Sequence, residues 1–551
     1  MKNNFFKMFI AILSCSVVSF CTAIGTFIAV SFMDKDNVPP SSISVSTFDE
    51  LNSAMTKGIS SIKIVDDIYL TSTIYVYGNI TVEVDSSCAI VRNEGFLGDM
   101  FIVGENSLGK NPIVETSKAA SLTLKANNSA TLTIDGNSEN ITDVVVGSAF
   151  LITNTAQLNV YDNVVIRDCK KLGNNATNNY RVSYPTEIGG AAVIITSGSF
   201  NMYGGLITNC ETNTNESNSD VSTQGGAIYN NGTFSMFGGK ITECKSSRGG
   251  ALYNYKLAKI LEGEISSNSA TVYGGAVYNP NSQYSNLYIG QNVSGNKVLL
   301  KKNSSLGSGG AIFSSIMASI YVSGATTFEE NVAGDNGGAI NSPGANVIKN
   351  TLFHKNEAGS KGGAMYVYHN KAANTVRHTI LQGVVFNENT SVSGGGALGT
   401  GSSVSDYSYS GAKVYATNCT FTKNNGKEGG AVYIIRQCYV ELTDCVLNNN
   451  SATTNGGGIY VTGKSTLVIK NISAETNNAV KGGFLYLTTG GTTVQIISGK
   501  ALNNTAEEDS GSTIWTNSAS VILQIHGTTT KTYFEYNGEI LGKGAVSEYE
   551  E

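Results

Sequence analysis

After about residue 60, apolar residues come in runs of three to six, alternating with polar ones and closed by Gly or Asn. A period of two over so few residues predicts short, half-buried β-strands; a helix needs a longer run on a 3.6 period. Two stretches break the pattern. "STFDELNSAMTKG" (46–58) places Phe48, Leu51 and Met55 at helical spacing between a capping Ser or Thr and a terminal Gly, which predicts a short amphipathic helix. Residues 8–33 carry no charge and, rising about 1.5 Å per residue as a helix, exceed a hydrocarbon core of roughly 30 Å. Lys2 and Lys7 precede this stretch and Asp34 and Asp36 follow it, so the positive-inside rule leaves the rest of the chain outside the cell. A retained signal anchor, a signal peptide cut after a residue such as Ala23 and a lipoprotein signal at Cys15 all fit. The anchor is favoured, because the apolar stretch is short before Cys15 and runs on well past Ala23.

The strand-like runs repeat. Gly pairs followed by a small or apolar residue begin at Gly189, Gly225, Gly249, Gly274, Gly309, Gly337, Gly362, Gly395, Gly429, Gly457 and Gly482. Their second members include Gly226, Gly250, Gly275, Gly338 and Gly363. The separations run from 24 to 36, with a floor at 24 or 25 that scattered glycines would not show. Within the unit, Phe328 and Asn331, Phe353 and Asn356, and Phe386 and Asn389 share one spacing, and each Asn lies six residues before a Gly pair. Strands this short are not stable alone. If each unit winds once around an axis, every strand pairs in parallel with its equivalent one coil away and inward side chains form one continuous core. The predicted fold is therefore all-β, a right-handed parallel β-helix over 46–540. The 46–58 helix caps its first coil, 34–45 is a linker and 541–551 a polar tail. The Gly pair turns a corner, the Phe position is core, and the Asn satisfies backbone groups at an inward turn.

Tandem Gly-Gly-Ala-Ile/Val/Leu and Phe-x-x-Asn elements resemble the chlamydial polymorphic outer-membrane protein repeat, and more broadly adhesin-like β-helix proteins. The resemblance is explicit over about 189–486. It implies a right-handed β-helix displayed at a cell surface with an adhesive role. Those proteins continue into an outer-membrane barrel, whereas here no long run of alternating strands follows the repeats.

Composition narrows the chemistry. Charged residues are 14% of the chain and the net charge is −6, with no basic cluster dense enough for a phosphate backbone, so nucleic acid is not an expected partner. Cys169, Cys210 and Cys244 occupy the slot that Asn fills in other units, while Cys419 and Cys445 share another. Stacked pairs lie within disulfide reach, but an odd number outside the leader and no evident framework favour free buried thiols. No CxxC and no convergent set of carboxylates stands out, so neither a metal, a cofactor nor a catalytic residue is expected. Longer units carry insertions, expected at one corner for 212–224 and 297–308 and earlier in the coil for "NKAANTVRH" and "SSVSDYSYSG". Tyr407 and Tyr409, in the last of these, are the expected contacts for a glycan or protein ligand. The sequence thus points to a monomeric, non-catalytic surface protein, anchored through 8–33 or secreted if the leader is cut. A carbohydrate-active β-helix enzyme is the alternative.

Overall fold

The computed structural model describes residues 42–549, except 105–119, 142–144, 146, 174–188, 215–222, 291–294, 296, 344, 371, 373–376, 404–409, 508 and 529–530. One coil shows the plan. After Gly337 and Gly338, the chain runs through Ile340–Ser342 on face I, Asn346–Lys349 on face II, Thr351–His354 on face III and Glu357–Ala358 on face IV, then meets the next Gly pair at Gly362. Each strand pairs in parallel with the same strand of the coils before and after, as Phe353 does with Phe328 and Phe386. Faces I and III each stack 16 strands, face II 19 with the hairpin strand Lys531–Thr532 included, and face IV ten. One short hairpin, between Ile522–Thr528 and Lys531–Thr532, is antiparallel. This is an all-β stack of long parallel sheets with the winding of a parallel β-helix, and the sequence period of about 25 is one turn of it.

Strand alternation explains the core. On faces II and III every second residue points inward and is buried, so each column of the interior holds equivalent residues. The column through Phe353 includes Ile166, Ile207, Ile241 and Ile265, then Leu300, Phe328, Phe353, Phe386, Phe421 and Leu447, all without exposed surface. Its phenyl rings stack at 4.8 to 5.1 Å with planes within 10° of parallel. Burying each such ring contributes roughly 1.5 to 3 kcal/mol, so a solenoid with no wide core still has a continuous one.

The expected capping helix forms over Phe48–Thr56. The Thr47 hydroxyl accepts the Glu50 N–H at 3.3 Å, and Glu50 reaches back to accept the Ser46 N–H at 2.8 Å, a reciprocal cap. Leu51, Ala54 and Met55 are buried on the first coils, which covers edges that would otherwise be open to pairing. Among the described residues no helix is long and apolar enough to cross a membrane; residues 8–33 lie outside them.

Details of the sequence reading shift. In two coils the corner glycine that opens the turn is not the one expected: Gly190 and Gly456 take the positive φ, in place of Gly189 and Gly457. A further coil turns at Gly511, where Ser512 and Thr513 replace the second Gly and the Ala. Lys297–Lys301, expected as inserted loop, is a face III strand; the extra length of that coil lies at 280–285 and 290–296, on either side of its face II strand. Ile540–Gly542, which straddles the expected boundary at 540, and Ala545–Tyr549, within the expected tail 541–551, pair as strands of a last coil.

Candidate functional site

The inner corner between faces III and IV carries the most ordered polar chemistry. Asn268, Asn303, Asn331, Asn356, Asn389, Asn424, Asn450, Asn477 and Asn504 stack there in nine successive coils, all buried. Asn356 shows the geometry of each rung. Its Oδ1 accepts the Asn331 N–H at 3.1 Å and Asn331 Nδ2 at 2.9 Å, while its Nδ2 donates to the Phe328 carbonyl at 2.9 Å and Asn389 Oδ1 at 3.0 Å. The amide thereby satisfies one backbone donor and one acceptor that the bend leaves without a strand partner. The residue before the slot is left-handed in twelve coils, with φ of 51 to 59°, although it is Asp168, Glu243, Lys302, Glu330, Lys355, Glu388 or another non-glycine. Such a conformation costs roughly 1 kcal/mol or more for an L-residue, and it recurs whether the slot beside it holds Asn or Cys. Cys169, Cys210 and Cys244 continue the slot toward the N-terminus. The seven cysteines of the described residues are buried and free.

The Gly pair divides its work. Gly225, Gly249, Gly274, Gly337 and Gly362 take φ near +67°, the left-handed turn. Their partners Gly226, Gly250, Gly275, Gly338 and Gly363 have ordinary φ, but a Cβ on any of them would collide with the carbonyl of the equivalent residue in the next coil. Neither member is exposed, and with Phe328, Phe353 and Phe386 buried as well, the repeat motif touches the coils and not solvent.

Outside, the faces differ. Face III and its corners carry ion pairs between coils: Lys240 with Glu264 at 3.0 Å, Lys301 with Glu329 at 3.1 Å, Lys302 with Glu330 at 3.5 Å and Lys355 with Glu388 at 3.8 Å. Residues 370–377 and 403–412 connect face I to face II in neighbouring coils. Tyr407 and Tyr409 lie outside the described residues. A shallow, open groove of about 490 Å³ near the C-terminal end is lined by Asp444, Asn471, Lys500, Tyr533 and Glu535 among others. Two of its charges are engaged: Asp444 accepts Asn471 Nδ2 at 2.7 Å, and Lys500 pairs with Glu475 at 2.5 Å. Sequence reasoning missed this groove because its residues come from separate coils and leave no linear motif.

Stacked coils, an internal asparagine ladder and insertions confined to corners define a repeat solenoid. The sequence profile of the Chlamydia polymorphic membrane protein repeat matches residues 325–343 and 444–462, and the chain carries that repeat at both places. Each matched segment runs from face III through the Asn slot and the Gly pair onto face I. No curated protein and no solved structure matches the chain.

Proposed function

We propose that this protein is a right-handed β-helix displayed on the outside of a cell, held by residues 8–33 or secreted, and that it works as an adhesin-like scaffold. The polymorphic membrane protein repeat carries this reading. The architecture supports it: the repeat residues are spent on the interior, which leaves the outer faces and the corner insertions free to vary. The ligand is a glycan or a protein met by the 403–412 segment, and the scaffold acts as a monomer. Surface labelling and protease digestion of intact cells test display. Accessible lysines and cleavage are expected, and full protection of residues 60–540 inside the cell would end the proposal. Removing 403–412 should abolish binding on a glycan array while the far-ultraviolet spectrum stays unchanged.

The groove at Asp444, Lys500 and Glu535 favours a second reading, a carbohydrate-active enzyme. Asp444→Asn and Glu535→Gln should each abolish polysaccharide cleavage if that reading holds, and absence of any cleavage by the native protein excludes it.

A further inference from the structure

Face II differs from face III in a way that the repeat does not require. Its nine successive strands from Gln157–Val160 to Lys413–Thr417 contain no Asp or Glu, whereas face III alternates acids with bases. On the last six of these strands the outward side chains include Lys259, Lys349 and Lys413, none of which has an ion-pair partner among the described residues. Between them along the axis lie Tyr288, Tyr321 and Ile380, which are 39%, 38% and 43% exposed. Tyr288 stacks on Tyr321 at 4.8 Å with planes 9° apart, so ring edges and hydroxyls face outward. At about 4.8 Å per coil the strip is roughly 24 Å long.

We infer that this strip of face II binds an acidic polysaccharide, a chain of sugars bearing carboxylate or sulfate groups. The inference rests on the display function proposed above. Unpaired ammonium groups without competing carboxylates supply charge complementarity. Tyrosines present rigid, amphipathic contact area whose immobilisation costs little entropy, with hydroxyls that can pair with sugar hydroxyls. In the strand register Lys259 shares one outward column with Tyr288, Tyr321 and Ile380, while Lys349 lies two residues to one side and Lys413 two to the other, so the ammonium groups flank a ring-lined track that an extended polymer can follow. Charge spacing argues against nucleic acid, because three lysines over this length fall far below the density of one phosphate per roughly 1.7 Å of duplex.

The test measures binding of the full chain to polygalacturonate, dextran sulfate, neutral dextran and single-stranded DNA. Both acidic glycans should bind, with affinity falling as salt rises, and neutral dextran should not. The variant carrying Lys259→Glu, Lys349→Glu and Lys413→Glu should bind at least tenfold more weakly with an unchanged thermal midpoint. Tyr288→Ala with Tyr321→Ala should weaken binding severalfold without changing its salt dependence. Equal binding to neutral dextran, tighter binding to DNA, or retention of affinity by the triple variant would overturn the assignment. Cell-surface digestion is unaffected by any of these outcomes, so failure here is distinguishable from failure of display.

Discussion

The slot between faces III and IV is filled two ways. From Asn268 to Asn504 each side chain bonds across coils, whereas from Cys169 to Cys244 each thiol donates to a carbonyl two residues earlier in its own coil, at 3.2 to 3.3 Å. The backbone is the same in both, since Asp168, Asn209 and Glu243 are as left-handed as Ser267 or Lys302. The ladder is therefore not what makes the coil turn. It adds cross-coil hydrogen bonds to a turn that stacking already permits, and where it is absent the inner column is apolar.

The sharpest way to break this contrast is Asn356→Ala. Truncation strands the Asn331 N–H and the Phe328 carbonyl in a dry interior, each at about 1 to 3 kcal/mol, and leaves Asn331 Nδ2 and Asn389 Oδ1 with one partner each in place of two. A loss of about 4 kcal/mol is expected by denaturant unfolding, against about 1 kcal/mol for Cys210→Ala, whose neighbours keep their backbone bonds. Equal losses would show that the two halves are held by the same forces. Next in size is the Gly pair. Gly363→Ala should cost about 3 kcal/mol because its Cβ meets the Gly396 and Thr390 carbonyls, and Gly362→Asn should cost about as much, since Asn tolerates φ +67° but its Cβ would meet the Met365 carbonyl. A midpoint for Gly362→Asn close to that of the unaltered protein would show that the corner can relax around a side chain.

How much of this was legible follows from where each signal originates. The coil length, the Phe column and the ladder positions Asn331, Asn356 and Asn389 stand in the sequence, because stacking demands the same residue type at each turn. Asn303 keeps the same spacing to Gly309, but it follows Leu300 where the motif leads with Phe. Gly190 and Gly456 sit in runs where two registers read equally well, and only pairing with Gly225 and Gly482 decides between them. The left-handed residues have no local signature at all. Lys355 and Glu388 adopt that conformation because the neighbouring coils fix it, and tertiary constraint of this kind overrides propensity. Face IV escaped notice for a related reason: strands of two residues such as Glu357–Ala358 are shorter than any periodicity.

A smaller substitution sharpens the same comparison from the other side. Cys244 already donates its backbone N–H to Asn268 Oδ1 at 3.0 Å. Cys244→Asn should add a rung, its Nδ2 reaching Asn268 Oδ1 and the Ile207 carbonyl as the other asparagines do one coil on. The expected gain is about 1 kcal/mol; a loss would mean that the cysteine column is packed too tightly to accept an amide.

The smallest effect separates the inner ladder from the charges outside it. Lys500 holds the Glu475 carboxyl below its ordinary value, with help from the Ser473 hydroxyl. A depressed folded pKa stabilises above the unfolded value of about 4.3, and this contribution is lost as pH falls through the lower folded value. The pair is largely exposed and screened, so the midpoint should drift down only slightly on acidification, more at low ionic strength than at high. Lys500→Met should flatten that drift below pH 4.3 and leave the neutral midpoint nearly unchanged. The asparagine amides do not titrate, so Asn356→Ala should cost the same at pH 3.5 as at pH 7; a cost that vanishes in acid would place the cross-coil stability in the charges outside and not in the ladder.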